Sequence, residues 1–318
     1  MATYIIRRLI LALIVLIIIT LLVFFVIRYL PGDPILLYMS RQEQQTLTQE
    51  QILAAKHQFG LDKPMVVQYF DWINGILKGE FGESLFYSES VGTLLARRIP
   101  VTLNLGIPAF IIGSILGITA GVLSALRRGR VLDSVMAIFS YMGIAVPIFW
   151  LGVLLIYAFG LRLHLLPMFG YIAPSEDLVQ NIKHLILPVV CLAVTPLASI
   201  ARQSRSSMLE IIRQDYIRTA WSKGLTERNV VMRHALKNGL IPVVTLMGIS
   251  LSYILGGSVF IETVFSIPGM GSLSVQALLS KDYSIIQAVT LLIASMIVVV
   301  NLLVDLTYGW LDPRIRYS

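Results

Sequence analysis

Charge is scarce in this 318-residue chain. Asp, Glu, Lys and Arg make up 14% of it, hydrophobic residues 56%, and the mean hydropathy is +0.79, a balance outside that of an ordinary soluble domain. Cysteine is nearly missing: Cys191 stands alone, so no internal disulfide can form and the redox compartment is unreadable. There is no GxxxxGKS/T phosphate loop, nor even a Gly-Lys-Ser/Thr, so the chain is not itself a P-loop ATPase. His57, His164, His184 and His234 are scattered, none at metal-ligand spacing with another His or Cys. Neither GxSxG nor HExxH occurs. Ser204, Ser206 and Ser207 lie beside Arg202 and Arg205 with no identifiable base, which suits a solvated helix start better than a nucleophile. Nucleic-acid motifs are absent, and the net charge of +7 sits on short segments rather than on a separate basic arm.

What the chain does have is long uncharged runs. A bilayer core of roughly 30 Å takes about 20 apolar residues in helix. Charged residues delimit six candidate spans: Arg8 to Arg28, Arg98 to Arg127, Asp133 to Arg162, Lys183 to Arg202, Lys237 to Glu262 and Asp282 to Asp305. The fourth is the shortest, and Pro188 and Pro196 are expected to kink it. With the N-terminus inside, the inner segments hold 15 of the 25 Lys and Arg; the first outer loop is too long to count, and the other two outer loops hold three. Both termini are therefore expected to be cytoplasmic. A cleaved signal peptide is the alternative for residues 1–30, but the apolar run is too long and Arg28-Tyr29-Leu30-Pro31-Gly32 is no small-residue cleavage site. So delimited, the spans carry no Asp, Glu, Lys or Arg, which argues against a proton-driven carrier, although a sodium site built from backbone carbonyls would escape that test.

Along the chain, residues 1–30 read as the first membrane helix, 31–98 as an ordered outer loop, and 99–318 as a core of five further helices. In the loop, Thr48 with Gln51 forms a capping-box signal for a helix closed by Gly60, and a second helix is expected from Pro64 to Gly79. Two compatible readings stand for this loop: a cap packed on the membrane domain, or a docking surface or vestibule. Gly113, Gly117 and Gly121 are spaced four apart on one face of the second span, which permits close approach of another helix. Packing within the chain is favoured over a subunit interface. In the fifth span Gly256 and Gly257 suit a close crossing and weaken the helix locally. Ser266–Gly271 breaks the chain again on the outer side.

The most informative stretch is the basic segment 202–237 between the fourth and fifth spans. Ser204 to Lys223 has helical spacing of Met208, Ile211, Ile212, Asp215 and Thr219. Gly224 is placed as a C′ residue with Lys223 at the helix's negative end, and Thr226 as the cap of a second helix. A structured cytoplasmic corner and a basic loop resting on anionic lipid both remain open on pattern alone.

At this segment the chain resembles the membrane permease subunits of ABC importers. Against their general signature (Glu-Ala-Ala, three residues, Gly, nine residues, Ile-x-Leu-Pro) only Ala220, Gly224 and Leu236 agree. The dipeptide/oligopeptide/nickel branch is much closer: Arg218-Thr219-Ala220 with Lys223-Gly224-Leu225, then Arg233-His234-Ala235-Leu236 with Asn238. Leu30–Pro34, Gly60–Pro64 with Gln68-Tyr69, Gly79–Ser84, Pro268–Gly271 and Leu311–Arg316 extend the likeness over nearly the whole chain, and the short N-terminus with a long first outer loop is similar to the "B" permease.

The resemblance implies an all-α, six-span type I importer permease in a bacterial cytoplasmic (inner) membrane. It implies a second homologous permease, two cytoplasmic ABC ATPases holding ATP and Mg, and an extracytoplasmic solute-binding protein, with no cofactor, metal or nucleic acid on this chain. ATPase coupling is assigned by the resemblance to Asp215, Tyr216, Arg218, Thr219, Ala220, Lys223, Gly224, Leu225, Arg233 and His234, with Thr226 to Asn238 passing motion to the fifth span. The expected activity is import of dipeptides, oligopeptides or related small solutes. An ion-coupled secondary transporter is the alternative, and a membrane enzyme or scaffold a third reading that the missing catalytic constellation disfavours.

Overall fold

The computed structural model describes residues 2–29, 57, 62–84 and 86–311. Among these the regular structure is helical, apart from one antiparallel bridge between Glu83 and Ser90. The helices are α1 (Ala2–Tyr29), α2 (Met65–Leu77), α3 (Val91–Leu126), α4 (Val131–Ala145), α5 (Ile148–Leu155, continued by a π-helical stretch Ile156–Arg162) and α6 (Leu178–Ile211). They continue with α7 (Asp215–Ser222), α8 (Glu227–Asn229, prolonged by a π-helical turn Val230–Ala235 and by Leu236–Gly239), α9 (Ile241–Gly257), α10 (Val259–Val264), α11 (Met270–Ser280) and α12 (Tyr283–Leu311). The expected helix between Thr48 and Gly60 and the motifs at 30–34 and 312–316 lie outside the described residues.

Among the described residues five stretches are long and apolar enough to cross a membrane: α1, α3, α6, α9 with α10, and α12. A sixth exists if α4 and α5, which meet at 103°, count as one. The third expected crossing is thus broken rather than straight. Pro147 lacks an N–H and forces its predecessor out of the helical region, and Val146 is accordingly extended at ψ 125. The fourth differs in the other direction. It is the middle of a continuous 34-residue helix that runs on past Arg202 to Ile211, with Pro188 and Pro196 inside it. Asp177 starts it, its carboxylate accepting from the N–H groups of Val179 and Gln180 at 2.9 and 3.0 Å. The division at residues 98 and 99 falls within the unbroken α3.

The spans are also less free of charge than their delimitation by charged residues implies. The candidate crossing Ile241–Val264 includes Glu262, and Tyr283–Thr307 includes Asp305. Both carboxylates are partnered: Asp305 meets Arg8 of α1 at 3.0 Å, while Glu262 is wholly buried and held by hydroxyls and a backbone N–H. Both buried or half-buried carboxylates thus find their polar partners within the chain.

Side by side, α3 and α6 form the spine of the molecule. A Cβ on Gly113 would meet the Ala193 carbonyl at 3.0 Å, on Gly117 the Leu197 carbonyl at 2.9 Å, and on Gly121 the Ala201 carbonyl at 2.4 Å. The three glycines thus let the two backbones run together down one face. Gly256 of α9 faces Ile293 of α12 with a Cβ distance of 3.1 Å, and Gly257 closes α9 just before the break at Ser258. One apolar cluster joins α3 and α6 to α10 through Leu105, Leu192, Ile261 and Phe265; a second joins α3 to α11 and α12 through Leu94, Leu273 and Ile285.

The end of the bundle opposite the basic corner is pinned by two buried carboxylates. Glu262 accepts from Ser258 Oγ at 2.5 Å, Thr102 Oγ1 at 2.9 Å and the Ser272 N–H at 2.8 Å, and Thr102 Oγ1 in turn accepts from the Met270 N–H at 2.8 Å. It thereby ties α3, α10 and the start of α11 into one knot. Gly269 and Gly271 are required there: a Cβ on either would lie 2.4 or 3.0 Å from the Glu262 carboxylate. Asp282 accepts from Ser84 Oγ at 2.6 Å and the Phe86 N–H at 3.0 Å while capping α12, which rivets the turn before α3 to the last span.

Candidate functional site

The segment between α6 and α9 folds into a compact corner. α6 ends at Ile211, the chain turns through Ile212–Gln214, and α7 leaves in a new direction before α8 returns. The expected single helix from Ser204 to Lys223 is therefore two helices. α7 puts Ile217 and Ala220 inward, where they pack with Ala125, Met208, Val230, Val231 and Ala235. Full burial of side chains such as Ile217 stabilises the corner by about 1.5–3 kcal/mol each. The α7–α8 turn is locked by the backbone. Gly224 has φ +78, its N–H bonds the Trp221 carbonyl at 2.9 Å, and the Leu225 N–H bonds the Ala220 carbonyl at 3.4 Å. Those two bonds around a left-handed residue satisfy the carbonyls left open at a helix C-terminus.

Thr226 occupies the N-cap position of α8, but its side chain makes no capping bond. Tyr216 and Asn238 bridge the two arms of the corner, Asn238 Nδ2 donating to Tyr216 Oη at 2.9 Å. Gly239 seats α8 on α6: a Cβ there would meet Met208 Sδ at 3.0 Å.

Of the residues expected at this site, Asp215, Tyr216, Arg218, Thr219, Lys223, Gly224, Leu225, Arg233 and His234 are brought together on the exposed surface of α7, the turn and α8. Ala220 is not among them, since it is 6% exposed and belongs to the corner's own core. Arg218 and Asp215 approach to 3.8 Å across one turn of α7, both strongly exposed, and a pair of that kind contributes little. Two exposed apolar groups go unannounced by the motif: Trp221, 40% exposed beside Leu225, and Met232 on α8, 58% exposed. The surface is thus a mixed aromatic and basic ridge on a packed base.

A second set of residues escapes sequence reading because its members are far apart. Asp133 at the start of α4 receives Arg205 of α6 through two bonds, Nε at 2.6 Å and a terminal nitrogen at 2.9 Å. The same carboxylate accepts from Ser124 Oγ at 2.5 Å and the Gly129 N–H at 3.0 Å. This nearly buried fork fastens the α3–α4 turn to the stretch of α6 immediately before the corner. An Asp one turn into a helix after a basic turn is the only local signal of it, and nothing in the sequence names Arg205 as the partner.

Comparison with known proteins places this geometry in context. Residues 117–317 match the family described as binding-protein-dependent transport system inner membrane component, and residues 1–106 match its N-terminal counterpart. The probable peptide ABC transporter permease protein y4tP of Sinorhizobium fredii is 40% identical over the full length of both chains. The dipeptide transport system permease protein DppB of Escherichia coli and the oligopeptide transport system permease protein AppB of Bacillus subtilis are each 38% identical, again over the whole of both chains. Among solved structures, the MetNI methionine ABC transporter in an inward-facing conformation matches with a TM-score of 0.55 at 20% identity, covering 69% of this chain and 96% of that one.

Proposed function

This chain belongs to the binding-protein-dependent transport system inner membrane component family, as a multi-pass permease subunit of an ABC importer and not an enzyme, and from that premise we propose that its cargo is peptide. The relatives named for peptide, dipeptide and oligopeptide transport, similar along their entire lengths, support this reading. In our reading the basic corner lies in the cytoplasm with both termini, and 31–98 faces the outside with the capture step. The working assembly holds a second permease, two ATPases that carry the ATP and Mg, and a solute-binding protein. Family membership leaves no support for an ion-coupled carrier.

Coupling is assigned to the ridge of Asp215, Tyr216, Arg218, Thr219, Lys223, Gly224, Leu225, Arg233 and His234, with Ala220 supporting it from beneath. The carrying observation is the build of the corner: a left-handed Gly224 turn closed by two backbone bonds on a packed base. A force on that ridge moves the base with it rather than bending the loop. The base is continuous with α6 and runs through α8 into α9, so closing and opening of the ATPases would switch the spans between two packings.

Uptake of a labelled dipeptide by cells carrying Gly224→Pro or Arg218→Glu tests this. Both variants are expected to insert normally and to lose uptake or ATPase assembly. Normal uptake by both overturns the coupling assignment, while normal coupling with no uptake of any peptide overturns the cargo.

A further inference from the structure

We propose that α2 is not a water-exposed element of the outer loop but a helix seated in the lipid leaflet at the end opposite the basic corner. This goes beyond the docking or vestibule role open to that loop, and it rests on depth. Arg8 and Arg28 bracket the apolar run of α1, and at 1.5 Å per residue they are about 30 Å apart, the thickness of a bilayer's hydrocarbon core. Thr20 lies two turns, about 12 Å, inside Arg28 along α1. Yet the Tyr69 hydroxyl of α2 is 2.9 Å from Thr20 Oγ1. Phe24, midway between, is fully buried, with the Tyr69 ring at 5.4 Å, the Trp72 ring at 5.8 Å and the Arg28 guanidinium at 5.2 Å from its own ring. α2 is therefore anchored to α1 below the membrane boundary.

The surfaces around this anchor are those of lipid-facing helices. On α1, Ile17, Ile18, Leu22 and Val26 are each about half exposed, and α2 presents an exposed apolar stripe of its own formed by Val66, Phe70 and Leu77. These three fall within a narrow arc at 100° per residue, with Phe70 64% and Leu77 82% exposed. The adjoining arc carries Asn74, Val67 and Asp71, and Asp71 is paired with Lys63 at 2.7 Å. One side of α2 is thus suited to acyl chains and the next to water, the division expected of an interfacial helix. Acyl chains are the occupant that follows from the depth of the Thr20–Tyr69 anchor.

Single-cysteine variants V66C, F70C and N74C, made in the assembled transporter with the buried Cys191 replaced by Ala, test this when spin-labelled and reconstituted into liposomes. Collision with oxygen is expected to exceed collision with a water-soluble nickel chelate at positions 66 and 70, with the order inverted at 74. A nickel preference at 66 and 70 would place α2 in water, and exclusion of both reagents would place another protein on it; either overturns the proposal. Uptake by these variants is read separately, so loss of transport does not bear on where α2 lies.

Discussion

Replacing the three spine glycines by alanine one at a time perturbs α3 and α6 by unequal amounts that the geometry fixes in advance. A tolerable carbon–oxygen contact is about 3.3 Å, so the helices must part by about 0.3 Å for Gly113→Ala, 0.4 Å for Gly117→Ala and 0.9 Å for Gly121→Ala. Alanine is favoured over glycine in a helix interior by about 1 kcal/mol. That gain offsets the small retreat at Gly113, which should be near neutral. At Gly121 the new methyl meets the Ala201 carbonyl, Ser204 Cβ at 2.6 Å and the Arg205 N–H nitrogen at 3.0 Å, all on one rigid helix. Overpacking of about 1–3 kcal/mol, with displacement of the Arg205 backbone beside its bond to Asp133, should exceed the helix gain. Thermal unfolding of the purified transporter is expected to rank Gly121→Ala least stable, Gly117→Ala intermediate and Gly113→Ala close to the parent. Equal midpoints, or Gly113→Ala as the weakest, would refute the parallel contact itself.

Glu262→Ala removes the acceptor for three donors in a dry site and is expected to destabilise by about 3 kcal/mol or more, with Glu262→Gln retaining part of the loss; thermal midpoints of the pair check it. Asp133→Ala strands Arg205 and should lower stability by up to about 3–5 kcal/mol, less the share that solvent recovers for an arginine one-third exposed; reversing the pair as Asp133→Arg with Arg205→Asp should restore only part of it, because Ser124 and the Gly129 N–H still face position 133. Gly224→Ala is expected to be milder than Gly224→Pro, costing about 1–2 kcal/mol for the left-handed conformation while keeping both backbone bonds, so uptake should fall in part rather than vanish.

Much of this was legible in the chain because membrane helices declare themselves by composition. Five of six crossings fall where uncharged runs place them, Gly224 stands at the C′ position its spacing indicates, and Pro64 and Gly79 bound α2. The break in the third crossing carries no hydropathy signal, since Val146-Pro147 sits in a run whose hydropathy does not dip. The turn that divides Ser204–Lys223 between α6 and α7 carries no sequence signal, because Ile211 and Ile212 keep helical periodicity through a turn that tertiary packing imposes. Glu262 was taken for a boundary marker, and only the folded chain brings it to Thr102, 160 positions away. Ala220 matches a motif position but is directed inward, a distinction that sequence spacing on an eight-residue helix does not carry.

The two family segments end and begin at residues 106 and 117, both inside α3. No loop separates them, so a chimera that borrows the front portion of another permease must be spliced through the middle of a rod. An insertion or deletion of one residue at that splice would rotate everything downstream by about 100°. Thr102 would keep its grip on Glu262 while Gly121 swung off α6, or the reverse, so whoever trades the front half of such a transporter has to count residues before choosing domains.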